Sequence, residues 1–335
     1  MPVLNIALVG SEDFAKVLGK KGDVRDVESY VHKDIVDGET RILSFIRPLR
    51  HPERLRPLLS VLNVAKVGIV EISTIDAALG EILVAFSTAK ISHGHAIISP
   101  KDGDWVDCDQ VKIILSQAGL EDWNIHEKMP DEHELRTSLF TLMDSLKIER
   151  EEVEKAPLVI PIDQHFNVKG VGLVAIGYVQ SGTISKHDEI MVLPVGENGI
   201  TRSLQVMDDD VEQSRTGDRV GVAIRNLREE ALHRGCVLTH ADSGALSKHQ
   251  ISEFSLSTAP FQKRKLSEGD VIHGAIDLQF IVGRVNSIDD GKLVVEWEQP
   301  LWIQTNNSDP LIIVQLDAGN MRVMGTAQAI APARE

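Results

Sequence analysis

An apolar run, Val3–Val9, is followed at once by Gly10, Asp13 and Lys16, an order that could bind phosphate. Glycine after a strand lets backbone amides turn toward an anion, and a lysine just beyond supplies the countercharge. A complete phosphate loop also sets a glycine beside its lysine and a Ser or Thr after it for magnesium. Here Ala15 precedes Lys16 and Val17 follows it. A methyl group therefore stands where the backbone must curl, and no hydroxyl is offered to a metal. A second polar group, Arg47-Pro48-Leu49-Arg50-His51, closes the apolar run Arg41–Ile46. Arg47 and Arg50 could clamp an anion in place of a metal, or pair with Glu12 and Asp13. A third group, Ser99-Pro100-Lys101-Asp102, closes the run His95–Ser99. His93-Gly94-His95 offers two imidazoles, but no cysteine or third ligand lies at matching spacing, so no metal is expected.

These groups need a scaffold that brings strand ends together. Val3–Val9, Arg41–Ile46, Val67–Ile72 and His95–Ser99 read as buried strands. Pro57–Val64, Ile75–Lys90, Asp107–Ala118 and Glu132–Leu146 read as helices. Alternation of the two predicts a largely parallel sheet wrapped by helices. Tyr30–Asp34 is expected to pair with Arg41–Ile46 across Asp37-Gly38, a hairpin signal. The charged stretch Lys147–Lys155 reads as a linker ending a helix. Beyond it the pattern changes to short runs: Leu158–Asp163, Gly172–Val179, Glu189–Val195, Thr201–Val206 and Arg219–Ile224, set off by Gly, Asp and Ser. A further strand-rich block holds Gly274–Val282, Lys292–Trp297, Leu311–Leu316 and Met321–Ala329. Such spacing predicts small barrels. The expected fold is α/β plus all-β, with an α/β domain over 1–155 and β-barrels over 156–241 and 249–331.

Composition narrows the function classes. The 335 residues carry 35 basic and 50 acidic side chains, a formal charge of −15. That excludes a generally basic nucleic-acid coat but leaves room for a local basic face. Two distant cysteines, Cys108 and Cys236, exclude a disulfide scaffold. No apolar stretch approaches a membrane span, no signal peptide is evident, and a cytoplasmic location is expected.

The most specific pattern lies in the second block. It runs Asp163-Gln-His-Phe166-Asn-Val-Lys-Gly170-Val-Gly172, Gly177-Tyr-Val-Gln-Ser-Gly182-Thr-Ile, Asp188-Glu-Ile and Pro194. It continues with Arg202-Ser-Leu-Gln205-Val, Thr216-Gly217-Asp218-Arg-Val220-Gly221 and Arg234-Gly235-Cys-Val-Leu. This run resembles the second domain of translational GTPases, the elongation factor Tu family, most closely its selenocysteine-specific SelB branch. An archaeal SelB-like paralogue of the kind proposed as a pyrrolysine-dedicated factor is similar too. His187 departs from the pattern, standing where that family has glycine.

The resemblance implies a P-loop-type GTPase domain followed by two barrels, and it assigns places to the first domain's polar groups. Gly10, Asp13 and Lys16 match GxxDHGK[ST], with Ala15 and Val17 as departures. His51 matches the water-positioning histidine of DxPGH, while Arg47 and Arg50 replace its acid and glycine. Asp102 matches the aspartate of NKxD, without the asparagine and lysine. The effector segment with its second magnesium-binding threonine is missing between Lys16 and Val27. A degenerate nucleotide site is therefore expected, with Gly10, Asp13, Lys16 and Asp102 as remnants and His51 inert. No cofactor is expected; GTP and magnesium enter only if the chain is instead an active divergent GTPase. In that family the barrels hold tRNA. This makes Arg215, Arg219, Arg225, Lys263, Arg264 and Lys265 candidate RNA contacts and aminoacyl-tRNA or the ribosome candidate partners. No DNA or membrane partner is expected. A regulatory protein–protein scaffold is a further alternative.

Overall fold

The structure, a computed structural model, describes residues 1–36, 38–101, 104–306 and 309–332. Its first part comprises β1 (Val3–Val9), α1 (Glu12–Leu18), β2 (Lys20–Val24), β3 (Val27–Val36), β4 (Glu39–Pro48), α2 (Arg56–Leu62), β5 (Val67–Ile72), α3 (Ala77–Thr88), β6 (His93–Ile98), α4 (Cys108–Ala118), β7 (Asn124–His126), α5 (Glu132–Ser145) and α6 (Lys147–Val153). Seven strands form one sheet in the order β2-β3-β4-β1-β5-β6-β7. The strands β4, β1, β5, β6 and β7 are parallel neighbours, and β3 runs antiparallel to β4. The central strands β1 and β5 are nearly continuous apolar runs because helices cover both faces. Phe14, Leu18, Leu139 and Met143 of α1 and α5 pack on one face. Leu58, Leu83 and Val111 of α2, α3 and α4 pack on the other.

The pairing of Val27–Val36 with β4 matches the expected hairpin; Asp37 lies outside the described residues. Two strands of this sheet escaped the sequence reading. β2 has no apolar side chain facing a core, since all five of its residues are exposed. β7 has only three residues.

The second part holds β8 (Ile160–Val168), β9 (Gly172–Tyr178), β10 (Thr183–Ser185), β11 (Glu189–Leu193), β12 (Glu197–Val206), β13 (Asp209–Val211), β14 (Gln213–Arg215), β15 (Arg219–Arg225) and β16 (Val237–His240). The order β11-β16-β8-β9-β15-β12 returns to β11 by a direct pairing and so closes a barrel. Alternate residues such as Ile190, Val192, Val220 and Val222 fill it. Its turns hold the backbone conformations glycine favours. Gly182 sits at φ +73, where a Cβ would fall 2.7 Å from Leu158 Cα and 2.8 Å from the Ala156 oxygen. His187 adopts φ +73 as a non-glycine residue.

The third part is a closed barrel of β17 (Leu246–Thr258), β18 (Val271–Ile276), β19 (Gln279–Asp289), β20 (Lys292–Gln304), β21 (Ile312–Val314) and β22 (Val323–Pro332). The expected single strand Gly274–Val282 is in fact a hairpin. Its chain reverses at Asp277 (φ +47) and Leu278 (φ +59), so that Ile276 faces Gln279. A two-residue turn with positive φ normally announces itself by Asn-Gly or Asp-Gly; Asp-Leu gives no such signal. Among the described residues, no helix is long and apolar enough to cross a membrane.

Candidate functional site

The C-terminal ends of β1, β4 and β5 frame a cleft lined by Gly10, Arg47, Arg50, His51, Glu71 and Thr74, among others. In open parallel α/β sheets this is the edge where ligands sit. Its geometry follows from how the chain leaves β1. Only Gly10 and Ser11 separate β1 from α1. Ser11 caps the helix, its Oγ accepting from the Phe14 N–H at 3.2 Å. Phe14, Ala15 and Leu18 then fasten the helix to the sheet. The segment GSEDFAK is therefore a helical turn rather than a cradle of free amides. Ala15 is fully buried in the core, and Val17 is half exposed on the opposite face.

An internal carboxylate faces this corner. The Ser11 N–H donates to Glu71 Oε2 at 2.6 Å. A Cβ on Gly10 would meet Glu71 Cβ and Oε2 at 3.0 Å, so the glycine makes room for that side chain. Lys16 does not line the cleft. It pairs with Glu12 at 2.9 Å and approaches Asp13 at 3.8 Å along the exposed face of α1, and the Asp13 side chain is 97% exposed. Two bonds from lysines hold the Glu12 carboxyl at about 2: Lys21 first, then Lys16.

Arg47 is equally committed. Its Nε donates to the Gly10 oxygen at 2.7 Å and its guanidinium to Glu28 at 2.8 Å. Its partner is thus Glu28, neither of the acids Glu12 and Asp13. Burial works to raise the Glu28 carboxyl, but bonds from Lys21, Tyr30 and Arg47 outweigh it and lower it. Arg50 is exposed at φ +64, a left-handed conformation that glycine takes at no steric cost. His51, although it lines the cleft, is engaged within the chain. Its side chain is 5% exposed, and Nε2 meets Glu81 Oε2 at 3.0 Å. The other Glu81 oxygen accepts from the Arg322 backbone N–H and Nε, each at 2.9 Å, and a further Arg322 nitrogen bonds Oε2. Burial pushes the Glu81 carboxyl up, yet Arg322 and His51 overcome this and hold it at about 2. The histidine at the family's water-positioning place is thus tied to Glu81 of α3, the same carboxylate that holds Arg322 of the second barrel. Asp102 lies outside the described residues.

The candidate RNA contacts divide. Arg219 reaches Asp23 of β2 at 2.9 Å, lies 3.8 Å from Asp163 and sits over the Tyr178 ring at 5.9 Å. Arg234, a motif arginine of the same barrel and not one of those candidates, bonds Asp26 and, at 3.2 Å, Ser60 Oγ. Both are ties between the first barrel and the α/β part. The short span in place of an effector segment supplies their acidic partners, Asp23 and Asp26. Arg215, Arg225, Lys263, Arg264 and Lys265 are exposed. His95 Nδ1 lies 2.9 Å from His126 Nε2; burial, then His126, bring His95 down to about 4. Among the described residues no group of three His, Cys, Asp or Glu side chains could hold a metal.

Glu28, Glu71, Glu81 and Arg322 were not singled out in the sequence. A signal existed for two of them. Glu71 interrupts the apolar run VGIVEI, and Glu81 interrupts the apolar helix AALGEILVAFST. An acid that such a run draws wholly or partly out of water demands a partner.

An α/β domain of this strand order followed by two six-stranded barrels defines the architecture of translational elongation factors. Residues 172–239 match the family model for elongation factor Tu domain 2. An uncharacterized protein of Methanocaldococcus jannaschii is 30% identical over 329 residues, covering 98% of this chain and all of that protein. The selenocysteine-specific elongation factor of the same organism is 28% identical over 216 residues, 59% of this chain and 46% of its own length. Among solved structures, a bacterial selenocysteine-specific elongation factor superposes with a TM-score of 0.76 at 19% identity, over 98% of this chain and 58% of that one. SelB from Methanococcus maripaludis gives 0.75 at 18% identity, over 98% of this chain and 80% of that chain. Residues 172–239 thus form an elongation factor Tu domain 2, and the chain as a whole is similar in sequence and architecture to SelB-type translational GTPases.

Proposed function

We propose that this chain is a SelB-like translation factor that binds aminoacyl-tRNA or another component of the translation machinery without a GTP hydrolysis cycle. The observation that carries the second half is the Glu71 carboxylate on the Ser11 amide. It puts negative charge where a phosphate would need free donors. The residues at this corner do not fit a magnesium nucleotide. The loop is helical, Val17 offers no oxygen, Arg47 is bonded within the chain, and His51 is held by Glu81. Phosphoryl transfer rests on metal charge and positioned groups, and neither has a substitute here. Translation-machinery binding is supported by the family and by the names of its relatives, selenocysteine-specific elongation factor and elongation factor 1-alpha.

Calorimetry of the full chain with GTP and GDP in magnesium tests the nucleotide half: no saturable heat is expected up to millimolar ligand. Micromolar affinity with magnesium-dependent phosphate release would overturn it in favour of an active divergent GTPase. Filter binding to charged and uncharged total tRNA at low salt tests the other half. Retention that weakens steeply with added salt is expected; no retention of either sinks the tRNA version. One observation favours the scaffold reading as a second choice: Arg219 and Arg234 are spent on ties to Asp23 and Asp26. Pull-down of translation proteins that survives ribonuclease would select it.

A further inference from the structure

The β18–β19 turn carries a buried acid that neither the cleft nor the barrel motifs use. Asp277 is 1% exposed. Leu278 beside it belongs to the same core as Ile46 and Val61 of the α/β part and Tyr178 of the first barrel. Gly235 of the first barrel lies against this turn, since a Cβ there would sit 3.3 Å from the Leu278 oxygen. The turn is thus a wedge where all three parts meet. Gln304 Nε2 donates to both Asp277 oxygens, at 3.2 and 3.1 Å, and to Asp309 Oδ2 at 3.2 Å. Lys66, on the connection entering β5, lies 3.8 Å from Asp309. Asp309 and Lys66 are the charged groups facing Asp277 among the described residues. Two carboxyls thus share one amide, and the cation nearest them among the described residues is a half-exposed lysine on the far side of Asp309. Such a pair resists holding two negative charges.

We propose that Asp277, Gln304, Asp309 and Lys66 form a proton-operated latch between the second barrel and the α/β domain. With its proton, Asp277 is a neutral wedge accepting from Gln304. Without it, Asp277 repels Asp309 and the junction loosens. Burial, then the Asp309 charge, raise the Asp277 carboxyl from 3.8 to about 7, which places the change near neutrality. The folded chain keeps a proton that the unfolded chain has released. The latch therefore stabilises fully below about 3.8, and that stability is lost as pH rises through about 7. The latch does not depend on whether nucleotide binds.

The test uses the full chain between pH 6 and 8.5, with thermal unfolding and deuterium exchange corrected for its intrinsic pH dependence. The unaltered protein should lose several degrees of Tm over that range. Its exchange in peptides spanning 59–67 and 273–280 should quicken about tenfold. Asp277→Asn, a neutral stand-in for the protonated acid, should flatten both changes. Asp309→Asn should move the midpoint down by roughly one pH unit by removing the facing charge. Equal pH slopes in the unaltered protein and Asp277→Asn, or an unmoved midpoint in Asp309→Asn, would overturn the latch. If Asp277→Asn does not fold, the Asp309→Asn midpoint decides alone.

Discussion

Gly182 in the first barrel and Gly10 at the end of β1 are both glycines at motif positions, and their surroundings differ. Backbone atoms of Ala156 and Leu158 crowd Gly182, which also holds a positive φ. Only side chains crowd Gly10, chiefly Glu71. The barrel glycine serves chain geometry that every such barrel needs. The β1 glycine serves an internal contact. His51 extends the contrast. It keeps the family's residue type while its partner, Glu81, is committed to domain packing through Arg322. The lesson is that a retained residue testifies to retained chemistry only when its partners are retained with it.

Substitutions can break or sharpen this contrast. The largest effect is expected from Arg322→Ala, which leaves Glu81 charged and buried against His51 alone. A loss of about 3–5 kcal/mol in denaturant unfolding is expected. A small loss would mean that the Glu81–Arg322 tie does not clamp the domains. The same clamp has an acid signature. The Glu81 carboxyl is lowered from 4.5 to about 2, so its contribution is full above 4.5 and lost as pH falls through about 2. Unfolding followed by circular dichroism should show that loss in the unaltered protein and its absence in Arg322→Ala. Next comes Gly182→Ala, expected to cost about 3 kcal/mol because backbone cannot yield to the new methyl group. Gly10→Ala should cost only about 1 kcal/mol, since a side chain can give way. Adding Glu71→Ala should recover part of that cost in a double-mutant cycle. Equal costs at the two glycines, or strict additivity with Glu71→Ala, would erase the distinction. The smallest effect belongs to Lys16→Ala, which removes exposed pairs and should leave Tm unchanged.

Much of the fold was legible because it rests on local pattern. The apolar runs at Val3–Val9 and Val67–Ile72 and the helices over 77–88 and 108–118 announce themselves by period and length. The barrel glycines announce their turns. What was not legible depends on contacts distant in sequence. Glu28 meets Arg47 across the β3–β4 pairing, Glu71 meets Ser11 sixty residues earlier, and Glu81 meets Arg322 from the other end of the chain. The motif comparison located the cleft at Gly10, Arg47 and His51. It could not say that each of them already had a partner. The tie of Arg219 is hidden for the same reason, because an arginine in a barrel sequence does not show that Asp23 of another domain faces it.

The core that joins Leu83 and Val111 of the helices to Tyr178 of the first barrel and to Ile312 and Val323 of the second has one more consequence. Each module also keeps a core of its own, and this shared one adds apolar contact among all three, so excising one exposes part of the packing of the other two. Melting should be cooperative across the whole chain, with calorimetric and van't Hoff enthalpies in agreement. A chain cut at the linker after α6 should yield fragments that expose this interior and associate through it. The unit on which selection for stability acts is then the entire assembly of sheet and barrels. A destabilising change in any one part would lower the abundance of all three.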